Sequence, residues 1–255
     1  MKRTREGRLL RLTLDRVDKR NALDSVTCRD LVAAFAEAEM DRGVGATLLD
    51  AEGPVFCAGM DLDESLLPDA AERNAIHAQL FTVGLESHKP VVAFVQGPAI
   101  AGGVGLVANA HIVVASETST FSLPEIRIGM WPFVIWRSLV EAIGERRAME
   151  LSLTARTIDA AEAVLYGLVH RVGTADDAHQ IAARLAGSSA EAVRRGLTLA
   201  HDSRHMTADE AVKLAGSLRG RMFRSEDYRE GVRAFREKRR PRWPSLEREV
   251  RNEGE

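Results

Sequence analysis

The stretch VVAFVQGPAIAGGVGLVANAHIVVA, residues 91–115, decides how this chain is read. No charged residue occurs between Lys89 and Glu117, a run long enough to suggest a membrane span. Its contents argue against one. Gln96, Gly97, Pro98, Gly102, Gly103, Gly105, Asn109 and His111 divide it into VVAFV, a glycine loop, a short helical piece and HIVVA, each too short to cross a bilayer. Short, uninterrupted apolar runs of this kind are what strands of a parallel sheet look like when both faces are covered.

Upstream of that stretch, Leu10, Leu12 and Leu14 alternate with charged or hydroxylated residues, which predicts a half-buried strand leading into the polar connection DRVDKRNAL. Asp24 is placed to cap a helix whose Leu31, Ala34, Phe35 and Ala38 share one face, with Gly43 or Gly45 as its stop. ATLLDA is the next strand candidate. Alternating strand and helix signals predict an α/β fold built on a mostly parallel sheet. Downstream the chain reads as helix after helix. Capping boxes are expected at Asp159 with Glu162, Ser188 with Glu191 and Thr207 with Glu210, and Gly167 closes the first of these helices. There is no Pro/Ser-rich linker, low-complexity tract or fixed-period repeat, so the helical half is expected to pack on the sheet or on a neighbouring subunit.

With 255 residues, 45% hydrophobic and 28% charged, the chain has the composition of a globular protein with a real core. The two cysteines, Cys28 and Cys57, allow at most one bridge, and MKRTREGRLLRL lacks a long apolar stretch, so a reducing cytoplasm is the expected compartment. Aromatic residues are 5% of the chain, too few for a platform that stacks single-stranded nucleic acid. The net charge of −2 conceals an uneven distribution: residues 1–20 carry +5, residues 219–242 carry +6 and the last 13 residues −2, leaving −11 for residues 21–218. Basic ends of this kind suit a polyanionic ligand, a contact between unlike patches, or solvated helix faces.

Three places could carry chemistry. FCAGMDL, residues 56–62, follows a Gly-Pro turn and is either an ordinary loop or a tight turn whose unpaired backbone N–H groups could stabilise an oxyanion. QGPAIAGGVGLVANA, residues 96–110, brings glycines to the start of a helix, where free N–H groups favour negative charge. Gly103, Gly105 and Ala108 also fit the dinucleotide fingerprint G-x-G-x-x-A, which would make an NAD-dependent oxidoreductase; the ribose-binding acid should then end the next strand, whereas Glu125 lies beyond both HIVVA and TFS. Glu125, after Pro124 and among apolar neighbours, is either a proton-exchanging carboxylate or an ordinary first-turn glutamate. His201 and His205 could share a helix face, but nothing nearby completes a metal site, so a solvated pair is expected and no metal. KRRPR at 238–242 reads as a charged helix end before a nuclear import patch.

In this order and at these separations, DKRNAL, FCAGMDL, VQGPAIAGGVGL, FSLPEIRIGM, LTARTIDAAEAVLYGLVHRV and EGVRAFREKRRPRW resemble the crotonase (enoyl-CoA hydratase/isomerase) superfamily over nearly the whole chain. The resemblance implies a crotonase-like spiral of ββα units in residues 1–190, carrying the active site. It also implies a CoA-proximal helical C-terminal region for oligomerisation in residues 191–255, with a frayed tail after 243. It implies an acyl-CoA substrate, no cofactor beyond the CoA that is part of it, no nucleic-acid or membrane partner, and a homotrimer or a hexamer of paired trimers. By similarity, the backbone N–H groups of Met60 and Gly102 would hold the thioester oxygen and Glu125 would act as acid/base. Lys19, Arg20, Ala58, Asp61 and Leu62 would contact CoA, and Trp131 would stand near the acyl group. The chain departs from the two-glutamate hydratase pattern at Gly105, which occupies the first glutamate's position, and in MWPFVIW, which replaces a glycine-rich segment. Hydration or dehydration of an enoyl-CoA, a double-bond shift, and a catalytically silent acyl-CoA-binding protein are the readings that remain.

Overall fold

The computed structural model describes residues 1–66 and 70–246. Strands β1 (Lys2–Glu6) and β2 (Leu9–Leu14) form an antiparallel hairpin around Gly7. β2 then pairs in parallel with β3 (Ala46–Ala51), β3 with β4 (Val91–Val95), and β4 with β6 (Ile112–Ala115). The short β9 (Arg171–Val172) closes the order β1-β2-β3-β4-β6-β9. A second sheet joins β5 (Ala99–Ile100), β7 (Thr120–Ser122) and β8 (Thr157–Asp159), with β5 and β7 parallel.

The apolar runs are strands covered on both faces, as expected. Leu9, Ala46, Leu48, Val92 and Val114 meet Ala178, Ala182 and Ala186 of one helix, α9 (Ala175–Ala186). Small side chains at that spacing let α9 lie close: a Cβ on Gly45 would come within 2.3 Å of the Ala186 carbonyl oxygen. The opposite face holds Leu12, Leu49, Ala93, Val95 and Val113 against α1 (Ser25–Met40) and α5 (Gly102–Ala108). β1 was not legible in the sequence, because KRTRE is exposed throughout and its charges protect a sheet edge.

Between β3 and β4 lie α2 (Leu62–Ser65), α3 (Ala70–Leu80) and α4 (Val83–Glu86); after β7 come α6 (Trp136–Ile143), α7 (Glu145–Thr154) and, past β8, α8 (Ala160–Tyr166). The caps follow the sequence with three corrections, the first being that Asp159 caps α8 without the reciprocal half of the expected box, because Arg156 holds the Glu162 carboxylate. Asp24 accepts from the Thr27 N–H at 2.8 Å, but α1 stops at Met40, before either glycine, with Asp41 as its C-cap. Ser189, not Ser188, caps α10 (Ala190–Asp202), because Ser188 turns back to donate to the Arg184 carbonyl. Thr207 and Glu210 form the reciprocal box at α11 (Ala208–Phe223), Asp159 caps α8, and Gly167 ends α8 at φ 89°. A box at Thr174 and Asp177 opens α9.

α10 and α11 bury none of their residues, whereas α12 (Glu226–Arg236) buries Asp227, Glu230 and Ala234. KRRPR, expected as a charged helix end, lies just past the end of α12 and folds back on that helix. Glu230 accepts from Arg239 at 2.6 Å and from the Arg242 N–H at 2.8 Å; Asp227 holds Ser189 and Ser245; and the Trp243 indole donates to the Gly187 carbonyl at 3.0 Å. The tail expected to fray after 243 continues through a helical turn to 246, and residues 247–255 lie outside the described chain.

Candidate active site

Three extended segments run side by side in the same direction and end together. Cys57 bridges in parallel to Ala99, with the Phe56 N–H donating to the Pro98 carbonyl at 3.0 Å and the Ile100 N–H to the Cys57 carbonyl at 2.9 Å. Ala99 and Ile100 pair in parallel with Phe121 and Ser122. Met60 follows Cys57 by three residues, Gly102 follows Ala99 by three, and Glu125 follows Phe121, the partner of Ala99, by four. All three therefore leave the strands at one end.

The backbone is contorted there. Gly59 stands at φ 88°, and a Cβ on it would come within 2.9 Å of the Ala101 Cβ and 3.2 Å of the Gly102 nitrogen. Only a glycine permits the 57–60 turn to meet the 100–102 turn this closely. Ala101, at φ 51° and ψ −117°, is held in a region that costs an alanine about 1–3 kcal/mol, strain of the kind that clusters at functional sites. Neither the Met60 nor the Gly102 N–H donates a hydrogen bond among the described residues.

Glu125 sits in a 3-10 turn, Pro124–Ile128, ended by Gly129 at φ 73°. One carboxylate oxygen, Oε2, is fully buried and has no hydrogen-bond partner among the described residues. Burial pushes its pKa above the ordinary glutamate value, so the protonated and ionised forms are closer in energy than on the surface.

The loop carrying Lys19, Arg20 and Leu23 zips along residues 58–61. The Ala58 N–H donates to the Arg20 carbonyl at 3.0 Å, the Leu23 N–H to Gly59 at 2.7 Å, and the Asp61 N–H to Leu23 at 3.0 Å. Arg20, Ala58 and Asp61 are thus brought together beside Met60. Asp61 is buried; its carboxylate takes the Arg16 guanidinium at 3.1 Å and caps α2 through the Asp63 N–H. Lys19 pairs with Asp63 at 3.1 Å on the surface, and Leu62 is exposed. Trp131 is half-buried against Trp136, ring centroids 5.5 Å apart.

Gly105 is walled in. A Cβ there would lie 2.3 Å from Ile135 Cγ2 and 2.8 Å from Phe81 Cε1. Both neighbours are buried apolar side chains, and sequence reasoning missed them: Phe81 and Ile135 look like any other core residues. Phe133, in the same MWPFVIW segment, is 70% exposed. The glycine run also fails as a dinucleotide cradle, since Gly103 is pressed against the Cys57 carbonyl, 2.4 Å from where its Cβ would be, and Gly105 against Phe81 and Ile135.

His201 and His205 do not form a metal pair. His201 lies beside His88 and His111, while His205 faces Arg137 at 3.4 Å, and no group of three or more His, Cys, Asp or Glu side chains suited to a metal occurs among the described residues. Within the described residues, no helix is long and apolar enough to cross a membrane.

The family model for enoyl-CoA hydratase/isomerase matches residues 4–246. A probable enoyl-CoA hydratase of Rhizobium meliloti (strain 1021) is 35% identical over 244 residues, covering 92% of this chain and 94% of its own. Mevalonyl-coenzyme A hydratase of Aspergillus fumigatus is 32% identical over 248 residues, covering 92% and 91%. The crystal structure of an enoyl-CoA hydratase from Mycobacterium smegmatis superposes with a TM-score of 0.88 at 30% identity, over 94% of this chain and 97% of that one. Parallel strands that deliver two glycine turns and a glutamate to one end are thus set in a crotonase fold, and the chain belongs to the enoyl-CoA hydratase/isomerase family of enzymes.

Proposed function

We propose that this enzyme binds an acyl-CoA and works through a thioester enolate, with the Met60 and Gly102 N–H groups as donors to the thioester oxygen and Glu125 as the single acid/base. The observation that carries the reading is the meeting of the two glycine turns, Gly59 against Gly102, at the strand ends where Glu125 also emerges. Taking a proton from the carbon beside a thioester moves negative charge onto its oxygen. Two donors fixed in a water-poor site stabilise that oxygen more than the neutral ground state, which is what lowers the barrier. An unpartnered, buried Glu125 oxygen with a raised pKa suits a group that must both take up and release that proton.

In this reading Lys19, Arg20, Ala58, Asp61 and Leu62 border the CoA moiety, and Trp131 borders the acyl group. Asp61 serves CoA indirectly, since its carboxylate is already committed to Arg16 and the α2 N-terminus. The reading extends to a homotrimer, alone or paired as a hexamer, through the helices after residue 190, because no residue of α10 or α11 is fully buried within its own chain. Two free, buried cysteines fit a reducing cytoplasm.

The test is Glu125→Gln, which keeps the shape and removes the proton relay. Turnover of enoyl-CoA thioesters, and exchange of the α-hydrogen of a saturated acyl-CoA in deuterium oxide, should both fall at least about a hundredfold. Unchanged rates would remove Glu125 from the mechanism. The rival, a silent acyl-CoA binder, is favoured by the missing acid at Gly105, and binding without turnover or exchange in the unaltered protein would establish it.

A further inference from the structure

We infer that His88, His111 and His201 form an acid-sensitive latch: as neutral imidazoles they hold α10, with α11 behind it, against the end of the sheet where β4 and β6 begin, and mild acid releases the two helices. Other holds on α10 are few. Neither α10 nor α11 has a fully buried residue, and two clefts, of about 380 and 470 Å³, lie between these helices and the end of α1, with Glu39, His88 and Arg194 lining both. Beside that gap the three rings meet. His201, in the last turn of α10, has its ring centroid 5.6 Å from that of His88, edge-on at 64°, and 6.4 Å from that of His111, at 27°.

His111 is fixed in one tautomer. Its Nδ1 accepts from the Val91 N–H at 3.0 Å while its own backbone N–H donates to the Val91 carbonyl at 2.9 Å, so the imidazole supplies the acceptor at the start of the β4–β6 ladder. Nδ1 therefore carries no proton in the fold and Nε2 does. Nε2 is buried without a hydrogen-bond partner among the described residues. A second proton would have to go onto Nδ1, setting donor against donor at Val91, and the cation formed would have no carboxylate on its buried nitrogen.

The surrounding charges lean the same way. Arg204, just past α10, lies near His111 and His201 and pairs with Glu141 of α6 at 3.5 Å; Arg194 of α10 and Arg221 of α11 share a cleft with His88; and Lys89 stands next to His88, its amine on the Ala38 and Asp41 carbonyls at the end of α1. The acids are Asp202, adjacent to His201, and Glu39 of α1, 3.3 Å from His88 Nδ1. Glu39 is placed to answer an imidazolium at His88, which leaves those at His111 and His201 to repel each other. Burial, and behind it His201 and Arg204, push the His111 pKa down to about 4, and burial lowers that of His201 as well. For depressed histidines the latched form is favoured above the ordinary 6.5, and that advantage is lost as pH falls from 6.5 toward about 4. A ring that titrates at 6.5 when released and about 4 when latched favours release by about thirtyfold at pH 5.

Amide hydrogen exchange of the full chain tests this, read for α10 and α11 against α9 at pH 7.5 and pH 5.0 and corrected for the pH dependence of the intrinsic rate. At pH 5.0 Glu230 of α12 is still ionised, so its contacts do not contribute. Protection of α10 and α11 should fall at least about tenfold relative to α9 on going to pH 5.0. In His111→Asn, whose side-chain carbonyl can still accept from Val91 but does not titrate, the fall should shrink to less than about threefold. His201→Gln stands in if that variant does not fold. His205→Gln, which alters the neighbouring histidine outside the cluster, should keep the full fall. Equal protection at the two pH values, an undiminished fall in the folded His111 or His201 variant, or loss of the fall in His205→Gln would overturn the inference.

Discussion

At Glu125 burial acts on the proton before any substrate arrives. With its pKa raised above the ordinary 4.5, the folded protein holds this proton over a wider pH range than the unfolded chain does. Stability is therefore lost as pH rises from below 4.5 through the raised value, where the buried group must ionise without a partner. Glu125→Gln is expected to unfold at a higher temperature than the unaltered protein at neutral pH. The gap should close as pH is lowered below 4.5, a pattern that thermal melts across pH will check. Activity should move the opposite way, as is common where a site is tuned for chemistry at the expense of stability. Gly105→Ala tests the neighbouring contact. Overpacking against Ile135 and Phe81 should cost about 1–3 kcal/mol in urea unfolding, and no change would mean that the wall yields freely.

Among the elements, α12 is fastened by charge rather than by apolar burial. Arg239 and the Arg242 N–H hold the Glu230 pKa down at about 2. For a depressed carboxylate the stabilising contribution is present above the ordinary value of 4.5 and is lost as pH falls from there toward 2. The return segment carrying Trp243 should loosen over that window, seen as increased amide exchange at Ser245, whose N–H donates to Asp227 at 2.9 Å. Glu230→Gln should show that loosening already at neutral pH and flatten the dependence. At α11 the capping box carries unusual weight, because the helix buries none of its residues. Thr207→Ala should cost about 1 kcal/mol, measured by chemical denaturation. These caps were legible in the sequence because a cap is a local bargain between residues three apart. Ser188 for Ser189 shows the limit: two adjacent serines offer the same hydroxyl, and only the path of the chain past α9 selects between them.

For the whole molecule, the two exposed helices α10 and α11 and side chains such as Val212, 70% exposed, are surfaces that an assembly would cover. Light scattering should return a mass three or six times the 27.9 kDa of one chain, and a monomer at micromolar concentration would remove the oligomer from the proposal.

The sequence by itself determined that buried strands flank a glycine turn, that helices dominate the second half, and which family the ordered motifs resemble. Those properties are carried by short-range patterns, since each strand or helix writes its own burial into the residues of one segment. Only the tertiary structure decided that KRTRE is an edge strand, whose pairing lies in backbone atoms and leaves no mark on its side chains. It also decided that Phe81 and Ile135 close over Gly105, where sequence showed only a missing acid. Which side chain fills a space depends on how distant turns sum, and no local periodicity records that.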